Sequence, residues 1–217
     1  MNISTLRKKA RDGSLEVEHL LQAAVERQPG LSEELTRLSS THDWKVQGPQ
    51  PDGTLVVPFA RWAAVASAYA SHQFAGLSVL AKEPENISFV LGLLEQIHTS
   101  ESVSFLLDIC NRCKSDLAEF EEIAFSVAST FNLLLSFKQA APVTNLQARA
   151  IQEFLCALYP LAKSEPNRAV VLLALRGIGD RDAIQFIKSA SNFGEPWSGT
   201  KELVLHAVRK RVKTLAI

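Results

Sequence analysis

Two stretches decide the fold. Leu94-Glu95-Gln96-Ile97-His98-Thr99-Ser100-Glu101-Ser102-Val103-Ser104-Phe105-Leu106 lines up with Leu175-Arg176-Gly177-Ile178-Gly179-Asp180-Arg181-Asp182-Ala183-Ile184-Gln185-Phe186-Ile187. Both follow L-x-x-I-x-x-x-[ED]-x-[VI]-x-F-[LI]. Each reads as one helix ending, a tight polar turn, and a second helix packing its apolar face back. The offset is 81 residues, close to twice a helical repeat of about 40. A helix pair cannot bury its apolar face alone, so such pairs stack. The intervening copy belongs near Leu134 to Phe154, where the match is poor and Pro142 intrudes.

Helical spacing extends through the rest of the chain. Leu117, Phe120, Ala124, Val127, Phe131 and Leu134 alternate steps of three and four, with Asp116, Glu119 and Glu122 flanking that stripe on the solvent side. Thr144-Asn145-Leu146-Gln147 is a capping box, in which Thr144 and Gln147 satisfy amides at a helix start. The helix behind it buries Ile151, Phe154, Leu155, Leu158 and Leu161. A last helix runs from about Thr200 and buries Val204, Val208, Val212 and Leu215. Breakers separate these segments: Pro84, Ser100, Ser115, Pro142, Pro166, Gly177, Gly179, and Gly194 to Gly199. The connections are short, as antiparallel neighbouring helices require. Residues 43–58 differ, because Asp52-Gly53 between short β-prone runs signals a loop or small hairpin. The expected organisation is an N-terminal helical pair over 1–42, the loop or hairpin over 43–58, and a helical-repeat body over 59–217, within one compact domain.

The turn Leu175-Arg176-Gly177-Ile178-Gly179-Asp180-Arg181-Asp182-Ala183-Ile184 resembles the inter-helix turn of HEAT-type repeats. Together with the copy at 94–106, the resemblance spans about 130 residues, from near Ser88 onward. It implies an all-α fold, a right-handed stack of antiparallel helix pairs forming a curved solenoid. Such solenoids present an extended surface to a protein partner.

Composition agrees with a packed domain. Of 217 residues, 47% are hydrophobic and 21% charged, with 23 Lys plus Arg against 23 Asp plus Glu. That balance argues against a globally basic nucleic-acid binder. The basic N-terminal segment is followed by no apolar run of secretory length, so no secretory signal is expected. Trp62 to Ala81 lacks Asp, Glu, Lys and Arg but carries Ser67, Ser71, His72, Gln73 and Ser78. Ile123 to Phe137 is too short to span a bilayer. Both read as buried helices, and the expectation is no membrane. Three cysteines make no disulfide framework, which points to a reducing cytoplasm.

Motifs for chemistry are weak. Cys110-Asn111-Arg112-Cys113 lacks the second ligand pair a zinc site wants and the strand a redox motif follows. It reads as two buried or half-buried thiols on one helical face, with no metal and no cofactor expected. His19, His42, His72, His98 and His206 are scattered. His72, beside Tyr69 and Phe74, is expected at a core or boundary position, and His98 in an exposed turn. Ala75-Gly76-Leu77-Ser78-Val79-Leu80 lacks the second glycine of a nucleophile elbow. Gly177-x-Gly179 lacks the third glycine of a dinucleotide loop. No Walker motif occurs, nor any His-Glu pair of the kind deoxyhypusine-hydroxylase-like solenoids use for iron. No catalytic residue is assigned.

Charge patterning is more informative. Between Glu83 and Glu122 there are nine acidic residues against Arg112 and Lys114, whereas Lys201 to Lys213 holds five basic residues against Glu202. Such polarity steers a charged partner. Asp108, Asp116, Glu119, Glu121 and Glu122, with Arg209, Lys210 and Lys213, are the candidate partner-binding residues. The leading expectation is a non-enzymatic protein-binding module, an adaptor or an immunity-type cognate inhibitor, capturing a protein partner; the acidic stretch suits a basic one, such as a nuclease. One alternative is a HEAT-like DNA glycosylase acting on alkylated bases, for which Arg61-Trp62 and the Arg209 to Lys213 cluster supply fragments. Its acidic centre opposes phosphate binding, so a nucleic-acid partner is not expected. Another is a structural subunit of a larger assembly, which exposed apolar residues around Phe193 and Trp197 would favour over a packed inter-helix loop.

Overall fold

The computed structural model describes residues 1–41, 45–48, 55–113, 120–136 and 140–215, with backbone alone for 39–41, 45–48, 55–58 and 215. The fold is all-α, apart from one short hairpin. The chain divides into two compact units, Met1–Ile97 and His98–Ile217. The boundary lies inside the first of the two matched turns. The segment 59–97, expected in the repeat body, therefore belongs with the N-terminal unit.

In the first unit α1 (Ile3–Arg11), α2 (Val17–Val25) and α3 (Leu31–Thr41) precede the hairpin. Three helices stand where a pair is expected, because Gly13 at positive φ follows the end of α1 and Arg27, also at positive φ, follows the end of α2. Strands β1 (Lys45–Gly48) and β2 (Leu55–Pro58) pair antiparallel, Lys45 opposite Pro58 and Gly48 opposite Leu55. The turn at Asp52-Gly53 lies outside the described residues. Helix α4 (Phe59–Leu80) then packs on α2, α3 and α5 (Pro84–Leu94). From Trp62 onward it carries no Asp, Glu, Lys or Arg, and Ala63, Val65, Ala66, Tyr69 and Leu77 are all buried. No described helix is long and apolar enough to cross a membrane.

One feature of α4 is invisible in its pattern. The helix breaks at Gln73, whose φ of 52° and ψ of −136° are non-helical. Beyond the break Gly76 comes so close that a Cβ there would lie 2.5 Å from the Ala68 carbonyl oxygen. With its amide oxygen turned toward Arg27, Gln73 accepts from both terminal guanidinium nitrogens at 3.1 and 3.2 Å. Arg27 itself sits at φ 52°. His72, just before the break, is exposed rather than at the core or boundary, because the stripe ends with the helix.

The second unit holds α6 (Ser100–Cys113), α7 (Glu121–Leu135), α8 (Asn145–Leu158), α9 (Glu165–Ala174), α10 (Arg181–Ser189) and α11 (Thr200–Leu215), with single 3-10 turns at Tyr159–Leu161 and Leu175–Gly177. Helices α6 and α7, α7 and α8, α8 and α9, and α10 and α11 pack together, and so do next-but-one helices: α6 on α8, α7 on α9, α9 on α11. Direction follows from particular contacts. Phe125 and Ser129 face Asn167 and Val170 near the helix starts, while a Cβ on Gly177 would lie 2.0 Å from the Leu135 oxygen at the ends. Helices α7 and α9 therefore run parallel. Glu165 accepts from the Gly194 N–H ahead of α11 at 3.2 Å, and Gly179 lies against Val208 farther along it. Helix α11 joins the same parallel layer. Gln152 of α8 donates to Asp180, the N-cap of α10, at 2.9 Å, and the Tyr159 and Phe186 rings meet edge-on.

The apolar stripes account for this packing. Ala124, Val127, Phe131 and Leu134 are fully buried, as are Ile151, Phe154, Leu155 and Leu158. Burying each large side chain contributes about 1.5–3 kcal/mol, so the stripes outweigh every cap. Leu161 and Val212 are only half-buried, since each lies where its helix runs out of neighbours. Leu117 lies outside the described residues. Phe193 is 7% exposed and Trp197 half-buried, within a connection between α10 and α11 whose other residues are mostly exposed. The capping box forms as its spacing predicts: the Thr144 N–H donates to Gln147 Oε1 at 2.9 Å, and Gln147 N–H to Thr144 Oγ1 at 3.2 Å. Thr144→Ala is expected to lower stability by about 1 kcal/mol, read as a shift of the urea midpoint at unchanged slope.

Candidate functional site

The acidic residues begin the account of the site. Asp108 is exposed on α6, and Glu121 and Glu122 form the first turn of α7. Asp116 and Glu119 lie outside the described residues. A carboxylate in a helix's first turn is stabilised by the aligned peptide dipoles, and a cation in the last turn likewise. Arg209, Lys210 and Lys213 are exposed in the last turns of α11. The acids of α7 and the bases of α11 thus occupy opposite ends of a parallel layer with α9 between them. Among the described residues, the acids of α7 and the bases of α11 are not brought together.

It does build a groove at the acidic end. Between the first halves of α7 and α9 lies an open cleft of about 630 Å³, lined by Glu121, Glu122, Phe125, Ser126, Ser129, Asn167 and Val170. On α7 the spacing 122, 125, 126, 129 places these residues on one helical face. Phe125, buried to 7% exposure, and Val170 make the apolar floor. Ser126 Oγ donates back to the Glu122 carbonyl at 2.9 Å, and Ser129 and Asn167 supply polar walls. At the mouth Lys163 Nζ meets Glu121 Oε2 at 3.1 Å, with the lysine side chain 86% exposed and the glutamate 26%. Of these residues the charge pattern marks only Glu121 and Glu122. Phe125, Ser126 and Ser129 fall within the 123–137 stretch read as a buried helix, and Asn167 and Val170 carry no charge.

The remaining candidates for chemistry are occupied by structure. Cys110 and Cys113 are buried on α6. Burial pushes the Cys113 thiol up against the opposing charge of Arg112. It pushes Cys156 up to about 11, with Asp180 adding to the effect. Such thiols stay protonated at neutral pH and are poor nucleophiles. At Asp180 burial favours the neutral acid, but hydrogen bonds from the Ala183 N–H, the Gln152 amide and the Asp182 N–H outweigh it and lower the pKa. That carboxylate is a cap. Among the described residues no group of three His, Cys, Asp or Glu could hold a metal. His98 is half-buried rather than exposed, because its turn folds inward, and its Nδ1 is buried with no partner among the described residues.

Arg61 and Trp62, in the first unit, are also engaged. The guanidinium donates to the Glu85 carbonyl at 3.0 Å and to Asn86 Oδ1 at 3.1 Å. The indole packs edge-on against Phe89, with ring centroids 5.1 Å apart. No known protein family, curated protein or solved structure matches the chain at a significant level.

Proposed function

We propose that this chain is a cytoplasmic, non-enzymatic, HEAT-like helical-repeat protein that captures a protein partner, as an adaptor or an immunity-type inhibitor. The observation that carries the reading is the cleft between parallel helices α7 and α9, with an apolar floor and two carboxylates at its mouth. Apolar floor and charged rim together are what a protein-binding hot spot needs. The repeat character draws support from side-chain hydrogen bonds between successive helix pairs. Lys163 to Glu121, Gln147 to Ser104 and Arg176 to Asn132 span 42, 43 and 44 residues, close to one repeat of about 40. Stacking of that kind fixes an extended surface on rigid elements.

The test is a tagged pull-down from native lysate at two salt concentrations, repeated with Glu121→Lys and Glu122→Lys combined. One stoichiometric protein, lost at high salt and lost again with the double variant, is the expected result. A partner retained equally by the charge-reversed chain removes the acidic end from the reading. Recovery of nucleic acid without protein overturns it.

A further inference from the structure

We infer that the α7–α9 groove is a socket for an arginine side chain on the partner, held ready by Lys163 as an internal placeholder. The inference rests on the capture reading and specifies the chemistry at its centre. Lys163 shows where a cation sits, because its ammonium already meets Glu121 at 3.1 Å. The lysine is 86% exposed, so the pair is weak and readily exchanged. Its partner Glu121 is more withdrawn, at 26% exposure, and strengthens any contact that displaces water. Glu122 stands beside it on the same rim.

An arginine suits this geometry better than a lysine. Its planar fork has five donors and pairs bidentately with carboxylates, and it sheds water more easily than an ammonium. Its aliphatic stem needs an apolar bed, which Phe125 and Val170 provide. The hydroxyls of Ser126 and Ser129 and the Asn167 side chain, along the walls, offer acceptors for donors that the carboxylates leave over. At about 630 Å³ the cleft has room for the arginine and its flanking residues. It is an anchor point within a larger interface, not the whole of one.

The experiment titrates the blocked tripeptide Gly-Arg-Gly into the isotope-labelled full chain, with Gly-Lys-Gly and Gly-citrulline-Gly as controls, and follows backbone amide shifts. Saturable shifts at Ser126, Ser129, Asn167 and Val170 are expected with the arginine peptide, weaker ones with lysine, and none with citrulline. Lys163→Met removes the placeholder and tightens binding by about two- to fivefold, the factor an exposed ion pair represents. Glu121→Gln combined with Glu122→Gln abolishes it, while the thermal melt of the folded chain shows that the variant is intact. Absent shifts at these four positions, equal binding of the citrulline peptide, or weaker binding by Lys163→Met overturns the socket. No partner takes part in this titration, so its failure is distinct from a failed pull-down.

Discussion

Gly177→Ala is expected to cost about 3 kcal/mol of stability, the upper end for forced overpacking. The added methyl would fall 2.0 Å from the Leu135 carbonyl oxygen and 2.6 Å from its carbonyl carbon. Those are backbone atoms at the end of α7, so no side-chain rotation relieves the clash. Relief requires the 3-10 turn at 175–177 to move away from α7. That turn is also held by Arg176, which donates to Asn132 Oδ1 at 2.8 Å and to the Leu173 carbonyl at 3.2 Å. Gly199→Ala is the control, since nothing lies within 4 Å of its missing Cβ. It should change stability by no more than about 0.5 kcal/mol. Urea unfolding followed by circular dichroism compares the two. Hydrogen exchange should place the loosening of Gly177→Ala in α7 and α9. Equal midpoints for both variants would show that the close approach does not set the packing.

The second large effect comes from a buried carboxylate in the other unit. Glu34 of α3 has a side chain only 1% exposed and sits between two arginines. Arg37 Nη2 reaches Oε1 at 2.5 Å, and Arg7 of α1 reaches Oε2 through Nη2 at 2.7 Å and Nε at 2.8 Å. Hydrogen bonding from Arg37 is the largest influence, burial opposes it, and Arg7 adds to it. The net result holds the carboxyl down from 4.5 to about 2. The folded pKa therefore lies below the unfolded one. The stabilisation is fully present above the unfolded value of 4.5 and is lost as pH falls toward about 2. A shift of that size corresponds to about 3 kcal/mol. Glu34→Gln should lose most of this at neutral pH, with the two stability curves converging as pH falls through that window. Parallel curves from neutral pH down to about 2 would show that the clamp does not contribute to stability.

The clamp and the glycine share a lesson about legibility. Helical spacing puts Glu34 on the face of Leu31, Leu35 and Leu38 and Glu33 off it, but says nothing of what pairs with the buried charge. Arg7 lies 27 residues away, a distance that no helical periodicity addresses. By contrast, the stripe from Ala124 to Leu134 could be read at once. Its residues are buried because a helix repeats every 3.6 residues, and that period is written in the chain. Thr144 caps its helix by contacts three residues away, so spacing alone identifies it. Pro84 and Pro166 stand at helix starts, where a missing N–H costs nothing.

Other features carry no local pattern. The break at Gln73 interrupts an alanine-rich pattern that reads as continuous, because close approach of Gly76 to Ala68 sets it. The groove escaped for a related reason. Ser126 and Ser129 lie on the polar face of α7, which alone would be plain solvent surface. They become walls only because α9 runs parallel beside them, with Asn167 and Val170 opposite.

The sequence by itself determined the all-α class, the caps, the buried stripes and the acidic start of α7, since each depends on interactions within one helical turn or on burial with a fixed period. Tertiary structure alone decided the division at Ile97, the Glu34 clamp, the reversal in α4 and the shape of the groove. These depend on which distant segments meet, and contact between segments is set by the packing of whole faces rather than by any local pattern.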